Sequence, residues 1–326
     1  MESRPTNRAL AIDVAGLVKH YGDVVAVDGL DLRVEEGAFF GMLGPNGAGK
    51  TTTLSILTTL ARPDAGRARV AGHDVVAERA AVRRELGIVF QEPSLDRELT
   101  AREHLDLQAR LYHLDDRARR VGAALERVDL AADADRPVRG FSGGMKRRLE
   151  IARGLMHRPR LLFRDEPPLG LDVAARAAIW AQLRSLHAGG ETTVFLTTHS
   201  MEEADALCQR VGILDRGRLV VEGTPADLKA ALGGDVVVMR FEAAAADDGP
   251  ARALAAVEGV REVRPDGDAG RLRVTVSEGS RRLPALLEAA RAWRVSDVEL
   301  HRPNLEHVFL HHTGHPFEPG RLGGLP

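Results

Sequence analysis

Eight residues, Gly44-Pro45-Asn46-Gly47-Ala48-Gly49-Lys50-Thr51, constrain this chain more than any others. They match the pattern G-x-x-x-x-G-K-[ST]. Glycines let a backbone curl until successive N–H groups face one anion. The helix that follows adds its positive N-terminal end. From there a lysine ammonium reaches the outer phosphates of a nucleotide, and the Thr51 hydroxyl can ligate Mg²⁺. The flanks agree with this reading. The run before the loop, residues 38–43, is apolar and short, as a buried strand is, and Thr52 begins a helical run.

The rest of the first two thirds alternates in the same way. Residues 12–14 and 31–34 read as antiparallel strands, and residues 69–72 as a strand and turn. Residues 86–90, 161–163 and 193–196 are apolar runs of strand length, with a helix expected around 174–186. The stretch from Thr100 to about Asp129 is charged, amphipathic and helical in period. Strands alternating with helices imply an α/β core around a parallel sheet. The character changes near Leu232-Gly233-Gly234. Beyond it the expected order is β-α-β-β-α-β and a last helix over about 304–312, the split βαβ or ferredoxin-like arrangement. The expected domains are therefore 8–232, with a helical subdomain over about 92–160, and 235–313. The glycine- and proline-rich tail, 314–326, is expected to be disordered.

Composition removes several function classes. With 326 residues the chain is long enough for two domains. A net charge of −2 implies no general attraction to nucleic acid or anionic lipid. The single cysteine, Cys208, excludes an intrachain disulfide framework. No apolar run approaches a membrane span and the N-terminus does not read as a signal peptide, so an intracellular protein without a direct membrane span is expected. Of 45 basic residues only four are lysine, a composition typical of a GC-rich bacterial genome.

Downstream residues narrow the phosphate loop to one chemistry. Phe141-Ser142-Gly143-Gly144-Met145 precedes a helix, so a serine hydroxyl and free N–H groups form a second anion site. The strand at 161–163 runs on into Asp165 and Glu166, one carboxylate to hold Mg²⁺ and one to activate water. Gln91 and His199 each follow a strand directly.

This order resembles the nucleotide-binding subunit of ABC transporters over about residues 10–230. The matching positions are Tyr21, Gly44 to Thr51, Gln91, Ser142 to Met145, Asp165-Glu166, Leu171-Asp172 and His199. Segments 93–103, 140–148 and 302–310 are more narrowly similar to the ATPase subunits of daunorubicin and drug-resistance exporters. The resemblance implies a P-loop NTPase fold of the ABC type: a mixed sheet core, an antiparallel β subdomain, a helical subdomain and a small α+β C-terminal domain. It implies that Tyr21 stacks on adenine and that Gly44, Pro45, Asn46, Gly47, Ala48, Gly49, Lys50, Thr51 and Thr52 hold the phosphates. Thr51, Gln91 and Asp165 would hold Mg²⁺, Glu166 would be the general base, and His199 would contact the γ-phosphate. Ser142, Gly143 and Gly144 would close over ATP bound by a second copy, so two ATP are sandwiched in a homodimer. Asp172 would couple the two sites, with an N-cap role as a competing reading. The function implied is ATP hydrolysis driving a separate multi-span permease that exports a drug, antibiotic or lipid-like substrate. That puts the subunit in the cytoplasm, at the inner face of the membrane. The rivals are a non-transport ABC ATPase and a weakly hydrolysing nucleotide-binding regulator.

Three positions depart from the family's usual residues: Arg164 for an aliphatic residue, Pro168 for threonine and Val173 for proline. Arg164 either finds a carboxylate or strains its strand, because a buried guanidinium is costly unless paired. Arg164→Leu is expected to raise the melting temperature, and a clear drop would show that Arg164 is a satisfied structural partner. The histidines at 301, 307, 311, 312 and 315 read as surface residues rather than a metal site.

Overall fold

The computed structural model describes residues 9–90, 94–165, 177, 179–181, 183–185, 192–242, 248–266 and 270–317. It divides into a unit ending at Glu222 and a unit spanning Gly223–Phe317.

The first unit is organised around a six-stranded sheet. Its strands are β3 (Phe39–Leu43), β6 (Leu86–Val89), β7 (Leu161–Asp165), β8 (Thr193–Thr198), β9 (Arg210–Asp215) and β10 (Arg218–Gly223), in the order β10-β9-β3-β8-β7-β6. Pairing is parallel from β9 through β3, β8 and β7 to β6. β3, β7 and β8 are buried at every residue, as strands covered on both faces are. This is why they read as continuous apolar runs and not as alternating ones.

A second sheet, in the order β2-β1-β4-β5, comprises β1 (Leu10–Tyr21), β2 (Val24–Glu35), β4 (Ala65–Val70) and β5 (His73–Asp74), all antiparallel. β1 and β2 are far longer than the short segments expected from alternation. Their register shifts several times, including between Val14 and Leu17, where Gly16 sits at φ +58° and donates to Asp31 Oδ1 at 2.8 Å. Each shift moves side chains to the other face, so the alternation breaks although the strand continues.

The charged stretch after Thr100 forms two helices, Ala101–Leu111 and Arg117–Arg127, not one. His113 and Asp116, at φ +52° and +51°, break it between them. Thr100 starts the first helix with a reciprocal capping box to Glu103. With the helix Gly143–Gly154 these bury a separate apolar cluster including Leu105, Leu125, Val138, Leu149 and Met156.

The second unit has a four-stranded antiparallel sheet in the order β12-β13-β11-β14. Its strands are β11 (Asp235–Phe241), β12 (Val260–Pro265), β13 (Arg271–Val276) and β14 (Val295–His301). The crossover helices are Gly249–Ala255 and Gly279–Ala289. Element order and strand order are those of the ferredoxin-like arrangement. Leu254 and Leu286 from the two helices join Val237, Met239, Val274 and Val276 in its core. The helix Pro225–Ala231 lies on this unit's side of the division and packs on the last helix, Leu305–Thr313. The division thus falls ahead of the Leu232-Gly233-Gly234 stretch where composition changes. Gly314, at φ +75°, ends the last helix, and residues 318–326 lie outside the described residues.

Candidate active site

The parallel register gathers the sequence-predicted residues at one end of the sheet. The phosphate loop leaves the C-terminal end of β3, Asp165 ends β7, and His199 follows β8. In adjacent strands Leu43 is level with Thr198, and Asp165 with Thr197. Carboxyl ends of parallel strands are where α/β sheets bind ligands. Gln91, Glu166 and Asp172, with the departures Pro168 and Val173, lie outside the described residues.

The loop is shaped by glycines, two of which leave no room for a side chain. Gly49, at φ +104°, caps the helix Lys50–Leu57, and a Cβ there would lie 2.4 Å from the Ala26 carbonyl oxygen. A Cβ on Gly44 would lie 2.4 Å from the Leu214 carbonyl oxygen. Gly47 also has a positive φ, +82°. Ala48 is buried, Pro45 half-buried, and Asn46 faces solvent. The Lys50 ammonium is buried inside the loop, donating to the carbonyls of Gly44 at 2.9 Å and Pro45 at 3.0 Å. Its charge thus sits within the curl of N–H groups. Thr51 is exposed at the first turn of the helix and Thr52 half-buried.

Asp165 is buried and accepts a hydrogen bond from Thr197 Oγ1 at 2.5 Å. A carboxylate and a hydroxyl are hard oxygen donors of the kind Mg²⁺ prefers. Among the described residues there is no group of three or more His, Cys, Asp or Glu side chains able to hold a metal by itself. Asp165 and the Thr51 hydroxyl thus fit a cation whose other ligands are nucleotide phosphates and water, the usual Mg²⁺ arrangement.

Ser142 caps the helix Gly143–Gly154, its hydroxyl accepting from Met145 N–H at 3.2 Å. Ser142 and Gly143 are exposed and Gly144 is half-buried, with nothing closer than 4.0 Å to an added Cβ there. The helix start is an open surface, available to another molecule's anion. Tyr21 is 52 % exposed at the end of β1, so it is not a buried strand-end residue. Lys19 lies over its ring, 5.4 Å from the centroid, and is itself anchored by Asp64 at 2.9 Å. That contact with Lys19 holds the Asp64 carboxyl below its usual range.

Arg164 is paired. Its Nη1 donates to Glu203 Oε1 at 2.6 Å, and both side chains are almost wholly buried. The same oxygen accepts from Trp180 Nε1 at 3.2 Å. The expectation that Arg164→Leu would stabilise the fold is therefore reversed, since the guanidinium has its carboxylate. A second buried pair, Arg147 with Glu150 at 3.1 Å, lies in the helix after Ser142. Burial, and then the like charge of Arg164, bring Arg147 down to about 10. Arg147 also donates to the Phe90 carbonyl, and Glu150 accepts from Ser94 N–H at 3.1 Å. Sequence reasoning did not find Arg147, Glu150, Thr197 or Glu203. Glu203 is 39 residues from its partner and one of two adjacent glutamates, so nothing local singles it out.

Comparison with known proteins gives a consistent family. Residues 27–168 match the family described as ABC transporter, and residues 223–313 match "ATP-binding protein DrrA1-3-like, C-terminal domain". The chain is 47 % identical to a daunorubicin resistance ATP-binding protein of Streptomyces coeruleorubidus, covering 93 % of this chain and 96 % of that one. It is 41 % identical to the daunorubicin/doxorubicin resistance ATP-binding protein of Streptomyces peucetius, over 97 % of this chain and 95 % of that one. Among solved structures it is similar to cbiO1 of Clostridium perfringens, part of an ABC transporter complex. The TM-score is 0.64 at 28 % identity, covering 68 % of this chain and 91 % of that one.

Proposed function

The chain belongs to the ABC transporter family of ATP-binding proteins, and on that premise we propose that it energises the export of a drug-like or antibiotic molecule through a separate permease. It is an ATPase subunit, the activity of its family. The exported class rests on the daunorubicin and doxorubicin relatives, which share both units of the chain. No described helix is long and apolar enough to cross a membrane, and in this reading the translocation path belongs to a permease partner. In this reading the subunit works in the cytoplasm, at the inner face of the membrane.

The observation that carries the reading is the convergence of Lys50, Asp165 and His199 at the carboxyl ends of three adjacent parallel strands. The loop N–H groups and Lys50 bind the β- and γ-phosphates, and Tyr21 offers an exposed face to the adenine. Thr51 and Asp165, with Gln91, would hold Mg²⁺. The cation would neutralise charge on the phosphate oxygens. Glu166 takes a proton from the water that attacks the γ-phosphorus in line, while the bond to the bridging β–γ oxygen breaks and ADP leaves. His199 donates to the γ-phosphate and keeps it aligned. Ser142, Gly143 and Gly144 of a second copy supply the remaining donors to the γ-phosphate, and Asp172 would couple the two sites. Such donors, fixed before the reaction, stabilise the charge that develops on the transferring group.

A weakly hydrolysing regulator is the second reading. Its motives are Arg164 and Pro168; the pairing with Glu203 satisfies Arg164, and Pro168 lies outside the described residues. Phosphate release by the purified chain, with and without its permease, separates the two. Hydrolysis that depends on Mg²⁺ and rises with the permease supports the transporter reading. No release under either condition would overturn it.

A further inference from the structure

We propose that Arg164 and Glu203 are positioning residues of the hydrolytic site, holding the turn that carries His199 in register with Asp165. This rests on the roles given above to His199 and Asp165. Arg164 and Asp165 are consecutive on β7, so their side chains leave opposite faces of the sheet. Each grips a different flank of the His199 turn. Asp165 accepts from Thr197, two residues before His199. Arg164 donates to Glu203, four residues after it.

The turn between these two anchors is itself tied at both ends. Ser200 N–H donates to Thr198 Oγ1 at 2.9 Å. Ser200 Oγ accepts from Glu203 N–H at 3.2 Å, capping the helix Met201–Leu207. Glu203 also accepts from Trp180, in the helical stretch before β8. The carboxylate therefore joins three segments: the strand ending in Asp165, the stretch around Trp180 and the helix that follows His199. A movement of the His199 turn relative to Asp165 must break either the Thr197 hydroxyl contact or a buried ion pair.

The pair is also in electrostatic contact with the helix that begins at Ser142. Arg147 on that helix feels both Arg164 and Glu203, besides its own partner Glu150. Arg147 and Glu150 hold the backbone at Phe90 and Ser94, on either side of residues 91–93. The His199 turn, the Asp165 strand and the Ser142 helix thus meet at one buried set of two arginines and two glutamates.

The experiment is single-turnover ATP hydrolysis by the full chain, in two backgrounds. The variants are Arg164→Leu/Glu203→Leu, which replaces the pair with apolar side chains, and Arg164→Met/Glu203→Gln should the first not fold. With His199 intact, hydrolysis is expected to slow by about tenfold to a hundredfold, because small displacements of reacting groups cost that much. Affinity for Mg-ATP should stay within about twofold, since the phosphate loop is untouched, and Arg164→Lys should recover most of the rate. In a His199→Ala background the same replacement should change the rate by less than about twofold, because the residue it positions is gone. An unchanged rate with His199 intact, or an equal fall in both backgrounds, overturns the proposal. A wild-type chain that hydrolyses no ATP would instead refute the functional reading itself.

Discussion

Arg164→Leu tests the energetics of the site's support most sharply. The substitution removes a guanidinium that is 1 % exposed and leaves the Glu203 carboxylate, equally buried, with the Trp180 N–H at 3.2 Å. Breaking a buried ion pair by removing one partner costs about 3–5 kcal/mol, mostly the penalty of the stranded charge. For a unit of this size each kcal/mol moves the midpoint by about 2–4 °C, so a fall of roughly 6–20 °C is expected. Removing both charges is a different perturbation. Arg164 Nε and Glu203 Oε2 have no hydrogen-bond partner among the described residues, so the pair recovers only part of its desolvation cost. Arg164→Leu/Glu203→Leu should therefore regain most or all of the lost midpoint. Thermal unfolding followed by circular dichroism reads both variants. A midpoint for Arg164→Leu equal to or above wild type would refute the reasoning, because it would mean the ion pair is not formed in solution.

Other perturbations probe separate parts of the account. Lys50→Ala withdraws the buried ammonium from the loop and should abolish measurable hydrolysis in a phosphate-release assay; retained turnover would exclude Lys50 from the site. Tyr21→Ala should raise the dissociation constant for ATP by roughly 5- to 150-fold, the span of about 1–3 kcal/mol for base–aromatic stacking, measured by calorimetry against inorganic triphosphate, whose affinity should not change. Gly49→Ala should unfold or misassemble the phosphate loop, since a Cβ would meet the Ala26 carbonyl at 2.4 Å; nucleotide binding equal to wild type would contradict the geometry. His157 stacks on Tyr112 with centroids 3.9 Å apart, and burial lowers its pKa from 6.5. Above 6.5 it is neutral in both states, and as pH falls below 6.5 the unfolded chain takes up the proton first. Stability should therefore decline on acidification through that range, and His157→Gln should flatten the decline in a series of unfolding midpoints.

Much of the fold was legible because the strands that carry the proposed site are short, wholly buried and end at, or just before, a candidate residue. β3 with Gly44 to Thr51, β7 with Asp165 and β8 with His199 each announce themselves in this way. The C-terminal unit was legible for a related reason. Its core residues, such as Val237, Met239, Val274 and Val276, recur every second position along single strands. What was hidden depended on distance in sequence or on broken periodicity. The bulges around Gly16 concealed the length of β1 and β2. The residues at φ +52° and +51° concealed the break between two helices, because a non-glycine residue in that conformation has no strong sequence signature. Arg164 showed that a carboxylate was needed without showing that it was Glu203. Only the fold brings a strand and a helix 39 residues apart into that contact.

In the proposed mechanism the loop from Gly44 to Thr51 is half of a site, completed by Ser142, Gly143 and Gly144 of a second copy. Sedimentation of a Glu166→Gln chain, with and without Mg-ATP, tests it directly. The substitution should slow hydrolysis by about 10²- to 10⁴-fold, so that bound ATP persists. The expected result is an ATP-dependent shift to a dimer, which Ser142→Arg abolishes in the same background while ATP still binds. The same mass with and without Mg-ATP, or a dimer indifferent to Ser142→Arg, would contradict the account.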